Sequence, residues 1–239
     1  MCNWPDDYIN KIICGDCFEV MKGIPDGVID LVVTDPPYRL DLHNGSGRNS
    51  GIFEGRDFNC FSKIHDAWNL DVDIPALMNE IRRLQSPINA YVWCSCRQLV
   101  DYLTWAAANN TRANVLVWIK SNPMPLNNNT LLSDIEYCVH FTEKGSFLAR
   151  GLDLGMYSKV FHGSRRLGTG HPTPKPISFM RRHITLSSGR GDIVLDPFVG
   201  SGTTAVAAKQ LDRVYVGIEI RAEFCQIAED FLKQEVLNL

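Results

Sequence analysis

Residues 192–208 read "DIVLDPFVGSGTTAVAA". Ile193–Asp196 is a short, apolar, β-branched run stopped by Pro197, which suits a buried strand. Gly200 and Gly202 follow, and from Thr203 to Gln210 the chain offers small residues compatible with a helix. Glycine at 200 and 202 lets the backbone turn tightly and approach a ligand closely. Strand, glycine turn and helix make half of a βαβ unit.

Outward from this stretch the same alternation recurs. Strands are expected at Lys11–Cys14, Ile29–Thr34, Ala90–Cys94, Val115–Ile119, Tyr137–Phe141, Ile193–Asp196 and Val214–Ile218. Helices are expected at Phe18–Lys22, Ile74–Gln85, Gln98–Asn109, Ile177–Leu186, Thr203–Gln210 and Ala222–Glu235. This pattern predicts an α/β, doubly wound, mostly parallel sheet of seven strands. No helix-length pattern separates Val115–Ile119 from Tyr137–Phe141, so an antiparallel pair is expected there. Two stretches read as irregular: Arg39 to Asp66, with its Gly/Ser/Asn-rich run at 45–51, and the basic, glycine-rich Lys144 to His171. Loops of that length are functional or mobile.

The chain has 239 residues and 45% hydrophobic content, enough for one large domain with a sizeable core. No apolar stretch reaches about 18 residues, so no membrane span is expected. Met1 to Tyr8 lacks the basic and apolar regions of a signal peptide, so a cytoplasmic protein is expected. Eight cysteines, at 2, 14, 17, 60, 94, 96, 138 and 225, then read as free thiols. The pairs Cys14/Cys17 and Cys94/Cys96 lie in or beside apolar strands without a sequence-local histidine, which favours buried small hydrophobes over a zinc site, and no metal is expected. The net charge of −3 hides an asymmetry. Between 143 and 190, nine Lys/Arg stand against Glu143 and Asp153, a local charge of +7 that leaves −10 elsewhere. Such a segment suits an anionic partner, commonly nucleic acid.

Two expected strand ends carry chemistry. Asp196 precedes the glycines, and the next strand ends at Glu219, where an acid can reach ribose hydroxyls. Gly200-x-Gly202-x-x-Ala205 also fits a dinucleotide fingerprint, which keeps a nicotinamide oxidoreductase open. An acid at 196, however, repels a pyrophosphate and attracts an ammonium. A ligand with a ribose and an α-amino acid but no phosphate is S-adenosylmethionine. The second strand end is "TDPPY" (34–38). Each proline holds the residue before it extended, so the Asp35 carboxylate and the Pro36 carbonyl become fixed acceptors beside the flat ring of Tyr38. Two acceptors and a stacking plate suit a planar group bearing an amino donor, such as a nucleobase.

In these blocks the chain resembles the amino-group DNA methyltransferases of the β arrangement, in which the Asp-Pro-Pro-Tyr segment precedes the glycine segment. The likeness runs through "ICGDCFEVMKGIPDGVIDLVVTDPPY" (13–38), "WIKSNPMP" (118–125), "EYCVHFTEKG" (136–145), "HPTPKP" (171–176), "GDIVLDPFVGSGTT" (191–204) and "GIEI" (217–220). The resemblance implies a single Rossmann-like domain over 1–239, with permuted strand order, a mobile insert at 39–66 and a short target-recognition region at 145–170. It implies that Asp16 and Cys17 lie along the cofactor's adenine and that Glu219 holds its ribose. Asp196, Phe198 and the turn Gly200, Ser201, Gly202, Thr203 and Thr204 flank its sugar and methionine parts, and Thr173 and Lys175 reach its carboxylate. Asp35, Pro36, Pro37 and Tyr38 hold the target base. Arg39, Arg150, Lys159, Arg165 and Arg166 contact DNA, while Arg181 and Arg182 read as the solvated side of their helix. Asp at position 35 favours adenine N6 over cytosine N4 by family analogy. No proline precedes a cysteine, which disfavours carbon-5 cytosine chemistry. The short recognition region leaves discrimination loose, shared with 39–66, or completed by a second subunit. A homodimer and a cognate restriction nuclease are the partners the resemblance admits. An RNA or protein methyltransferase and a catalytically silent DNA-binding protein are the remaining alternatives.

Overall fold

The computed structural model describes residues 3–38, 72–123, 131–164 and 175–234. Among these, eight strands form one sheet: β1 (Lys11–Cys14), β2 (Leu31–Thr34), β3 (Asn89–Cys94), β4 (Arg112–Lys120), β5 (Ile135–Thr142), β6 (Val160–Gly163), β7 (Ile193–Asp196) and β8 (Val214–Glu219). The α-helices are α1 (Cys17–Met21), α2 (Ile74–Leu84), α3 (Cys96–Ala108), α4 (Ile177–Ser187), α5 (Thr203–Gln210) and α6 (Ala222–Gln234). The strand order is β1-β8-β7-β2-β3-β5-β4-β6. β5 runs antiparallel to β3 and β4, and every other pair is parallel.

The centre of the sheet is buried on both faces: every residue of β2 and β3 is inaccessible. Side chains alternate across the pleat. Val32, Ala90 and Val92 pack with Met21, Leu77, Ile81 and Tyr102 beneath α1–α3. Leu31, Val33, Tyr91 and Trp93 pack with Phe179, Ile184, Val206 and Leu232 beneath α4–α6. Helix starts follow their caps. The Asp73 carboxylate accepts from Ala76 N at 3.0 Å, and Ser95 and Gln98 form a reciprocal capping box. Among the described residues no helix is long and apolar enough to cross a membrane.

Three expectations are corrected. The sheet has eight strands rather than seven, because Val160–Gly163, inside the stretch read as irregular, pairs with β4 from Val117↔Val160 to Lys120↔Gly163. It is a four-residue edge strand with one buried side chain, Phe161, so it carries no apolar run to read. Cys17 and Cys94 are buried as expected, but Cys14 and Cys96 are exposed because they sit at the rim, where β1 ends and α3 begins. Arg182 does not lie on a solvated helix face. Its guanidinium donates to the Met156 and Ser158 carbonyls at 2.5–2.9 Å and covers the Phe161 ring at 4.3 Å, tying the segment before β6 to α4. The 39–66 insert, together with Arg39, Arg165, Arg166 and Thr173, lies outside the described residues.

Candidate active site

The strand order reverses between β2 and β7. From β2 the chain moves outward through β3, and from β7 it moves the other way through β8, with β1 beyond it. Ligands of open α/β sheets bind at the carboxyl ends of strands at such a point. β2 and β7 pair there in parallel, Leu31↔Val194 and Val32↔Leu195, so the Asp35 and Asp196 segments leave the sheet side by side. The Thr34 hydroxyl donates to Asp196 Oδ1 at 2.8 Å and joins the two ends.

On the β7 side, Asp196 is buried and its Oδ1 also accepts from Phe198 N at 3.1 Å. Burial pushes its carboxyl up to about 7, against the opposing pull of the Thr204 and Thr34 hydroxyls and the Phe198 N–H. Glu219, at the end of β8, accepts from Gly200 N at 3.1 Å through Oε2 and from Arg221 N at 3.0 Å through Oε1. Its carboxylate therefore pins the glycine turn. Gly202 has φ +84°, and a Cβ there would stand 2.9 Å from the Ala228 Cα of α6. Glycine at 202 thus serves the approach of α6 to the turn, a reason that sequence spacing does not disclose. The end of β1 completes this side. Gly15 N donates to Glu219 O at 2.9 Å, and the Asp16 carboxylate caps α1 through Glu19 N at 3.1 Å. The Cys17 side chain points into the core, and burial, with Asp16 adding to it, pushes its thiol up to about 12. Ser201 and Thr203 are buried, their hydroxyls 3.2 Å apart.

On the β2 side, Gln98 Nε2 donates to the Pro37 carbonyl at 2.9 Å, fixing the segment to the first turn of α3. Lys175 donates to Asp35 Oδ2 at 2.6 Å, while Asp35 Oδ1 is buried with no hydrogen-bond partner among the described residues. The ammonium of Lys175 lies 5.0 Å from the Tyr38 ring centre and 5.4 Å from that of Trp93. Lys175 also reaches Glu136 Oε2 at 3.1 Å, and Lys120 reaches Glu136 Oε1 at 2.8 Å. Two carboxylates and two ammonium groups thus form a balanced, largely buried cluster. Burial raises the Asp35 carboxyl, Lys175 pulls it back in part, and Glu136 adds to the rise. Burial also works against charge on Glu136, but Lys175 and Lys120 outweigh it and hold the group below the usual carboxylate range. Burial opposes charge on Lys175 too, and the two carboxylates overcome it.

The structure therefore brings Asp16, Cys17, Asp196, Phe198, Gly200–Thr204 and Glu219 together around one turn, with Asp35–Tyr38 and Lys175 beside it. Lys175 engages Asp35 and Glu136 here, whereas the resemblance assigns it to the cofactor's carboxylate. Arg150 and Lys159 are exposed, and Lys159 donates to Asn114 Oδ1 at 2.9 Å. Sequence reading assigned no role to Lys120 or Glu136. Their signal was a charge at the end of one apolar strand and another at the start of the next, brought together by the register Trp118↔Glu136.

Two buried carboxylates beside a glycine turn suit a ligand that offers hydroxyls and an ammonium group. The DNA methylase family model, of the N6/N4 type, matches residues 29–230. Type II methyltransferase M.HinfI of Haemophilus influenzae is 28% identical over 96% of this chain and 70% of its own length. Type II methyltransferase M2.DpnII of Streptococcus pneumoniae is 28% identical over 95% of this chain and 92% of its own. Among solved structures, the M1.HpyAVI–SAM complex superposes with a TM-score of 0.67 at 24% identity, covering 93% of this chain and 99% of that one. The cytosine-N4-specific PvuII DNA methyltransferase superposes at 0.68 with 15% identity, covering 91% and 84%. The family's cofactor is S-adenosylmethionine. A family model that spans most of the chain, and a strand-order reversal that sets a glycine turn beside an Asp-Pro-Pro-Tyr segment, together make this chain a member of the N6/N4 DNA methylases.

Proposed function

We propose that the chain methylates the exocyclic N6 amine of adenine in DNA. One observation carries the choice of site: Asp35 is anchored through Oδ2, and its buried Oδ1 has no partner among the described residues. An acceptor held at one oxygen and open at the other is poised for an N–H donor. The Pro36 carbonyl is the second acceptor. Hydrogen bonds from both N–H groups draw the amine lone pair out of the ring, and in-line geometry does the rest. S-adenosylmethionine supplies the electrophilic sulfonium methyl group. Glu219 holds its ribose, Asp196 and the Gly200–Thr204 turn its sugar and amino-acid parts, Asp16 and the Cys17 backbone its adenine, and Thr173 its carboxylate.

A base inside a duplex cannot reach Asp35, so it is flipped out at a cost of a few kcal/mol, and stacking on Tyr38 offsets about 1–3 kcal/mol of this. DNA is steered by the basic stretch, with Arg39, Arg150, Lys159, Arg165 and Arg166 on phosphates or bases. The 145–170 region and the 39–66 insert share target recognition. In this scheme the protein is a cytoplasmic Type II enzyme with a cognate restriction nuclease, and a homodimer is its assembly.

Nucleoside analysis of DNA incubated with the protein and S-adenosylmethionine tests the proposal. N6-methyladenine is the expected product. N4-methylcytosine, whose parent amine offers the same two donors, would replace adenine as the target. Absence of both would refute the proposal.

A further inference from the structure

Glu136 is the only carboxylate among the described residues that an ion pair joins to both Lys120 and Lys175. It stands near the start of β5, 19% accessible at its side chain, against 6% for each lysine. Its Oε2 also receives the Tyr38 hydroxyl at 3.4 Å. One side chain therefore touches both the lysine that anchors Asp35 and the ring proposed to carry the base.

The physical problem at this site is Lys175. An ammonium 2.6 Å from Asp35 in a buried setting can neutralise the acceptor that the amine requires. An ammonium has three donors, and geometry decides where they go. With Glu136 at 3.1 Å, one donor is drawn off Asp35 and Lys175 is held on the Oδ2 side. Lys120 balances the charge Glu136 brings, so no uncompensated ion is buried. We propose that Glu136 is a positioning residue for methyl transfer: it fixes Lys175 between two carboxylates and steadies Tyr38, leaving Asp35 Oδ1 open to the target amine. This rests on the assignment of Asp35 as acceptor for that amine.

Without the carboxylate, Lys175 swings fully onto Asp35 and closes Oδ1. Glu136→Gln is then expected to lower kcat about 100-fold, the scale of losing one preorganised partner. Affinity for S-adenosylmethionine stays within about threefold, because Glu136 makes no contact with the glycine turn. Glu136→Gln leaves the cluster one positive charge in excess, and the double variant Lys120→Met/Glu136→Gln restores the balance. The four proteins to compare are wild type, Asp35→Ala, Glu136→Gln and the double variant, by single-turnover methylation, calorimetric titration with S-adenosylmethionine and thermal melting. Positioning predicts that Glu136→Gln and the double variant both lose kcat with cofactor affinity kept. Recovery of kcat in the double variant shows that Glu136 only balances charge and overturns the proposal. Glu136→Gln within about threefold of wild-type kcat, beside an inactive Asp35→Ala, overturns it too and leaves the assignment of Asp35 standing. A wild-type protein that transfers no methyl group to adenine refutes the proposed function itself.

Discussion

Replacing Asp35 by alanine separates the two halves of the site. In the structure Lys175 is the ion-pair partner of Asp35, and the link from β2 to the cofactor half runs through Thr34 and Asp196. Methylation should fall at least 100-fold, the scale of losing a preorganised hydrogen-bonding partner, or about 3 kcal/mol in the barrier. Cofactor affinity should change less than about threefold. Stability should also drop, because Lys175 is 6% accessible and loses its 2.6 Å partner while keeping Glu136 at 3.1 Å. Breaking a buried ion pair outright costs about 3–5 kcal/mol. With Glu136 still in place, about 2 kcal/mol is expected, the worth of a charged hydrogen bond. At this chain length that lowers Tm by about 4–8 °C. Radiolabelled methyl transfer, calorimetric titration with S-adenosylmethionine and differential scanning calorimetry measure the three quantities. Turnover above about a hundredth of wild type would refute Asp35 as the acceptor. A tenfold loss of cofactor affinity would move Asp35 into the cofactor site.

Three further outcomes are expected. Gly202→Val places a side chain where a Cβ already meets Ala228 at 2.9 Å and holds valine at φ +84°; denaturation should show a loss of at least about 2 kcal/mol, with weaker cofactor binding, and an unchanged midpoint would contradict the packing. His183 is fully buried, stacked 4.1 Å from Tyr91, with neither ring nitrogen partnered among the described residues, and burial holds it well below its usual pKa. A depressed histidine stabilises the fold only while the unfolded chain is also neutral, so its contribution is lost as pH falls below about 6.5. His183→Phe should therefore gain about 2 kcal/mol relative to wild type between pH 7 and pH 5, read by urea denaturation at each pH, and a constant difference would refute the assignment. Replacing Arg165 and Arg166 with alanine should weaken DNA binding and flatten its log–log salt dependence by up to about two units; unchanged affinity and slope would remove both from the interface and leave the 39–66 insert as the leading DNA surface.

Much of the fold was legible because each central element announced itself locally. β2, β3, β7 and β8 are apolar runs, and helix starts such as Asp73 and Ser95 carry capping side chains whose effect spans only three residues. The antiparallel β4–β5 pair was legible because no helix-length pattern separates its two strands. β6 was not, because an edge strand held by backbone bonds to β4 needs only one buried side chain. Arg182 was misplaced for a related reason. Helical spacing ranks it as surface, and only the return of residues 156–158 over α4 supplies the carbonyls it binds.

The candidate site divides along the same line. From sequence alone came the two chemically marked strand ends, Asp35–Tyr38 and Asp196–Gly202, and the acid at 219. Proline, glycine and strand-terminal carboxylates constrain their own backbone whatever surrounds them. Only the tertiary structure set β2 against β7, turned the missing Cβ of Gly202 toward α6, and gathered Lys175, Glu136 and Lys120 around Asp35. The contacts of that charged cluster join residues up to 140 positions apart. Their energy comes from charges that are compensated only once the sheet has closed around them, and no local stretch of chain records that.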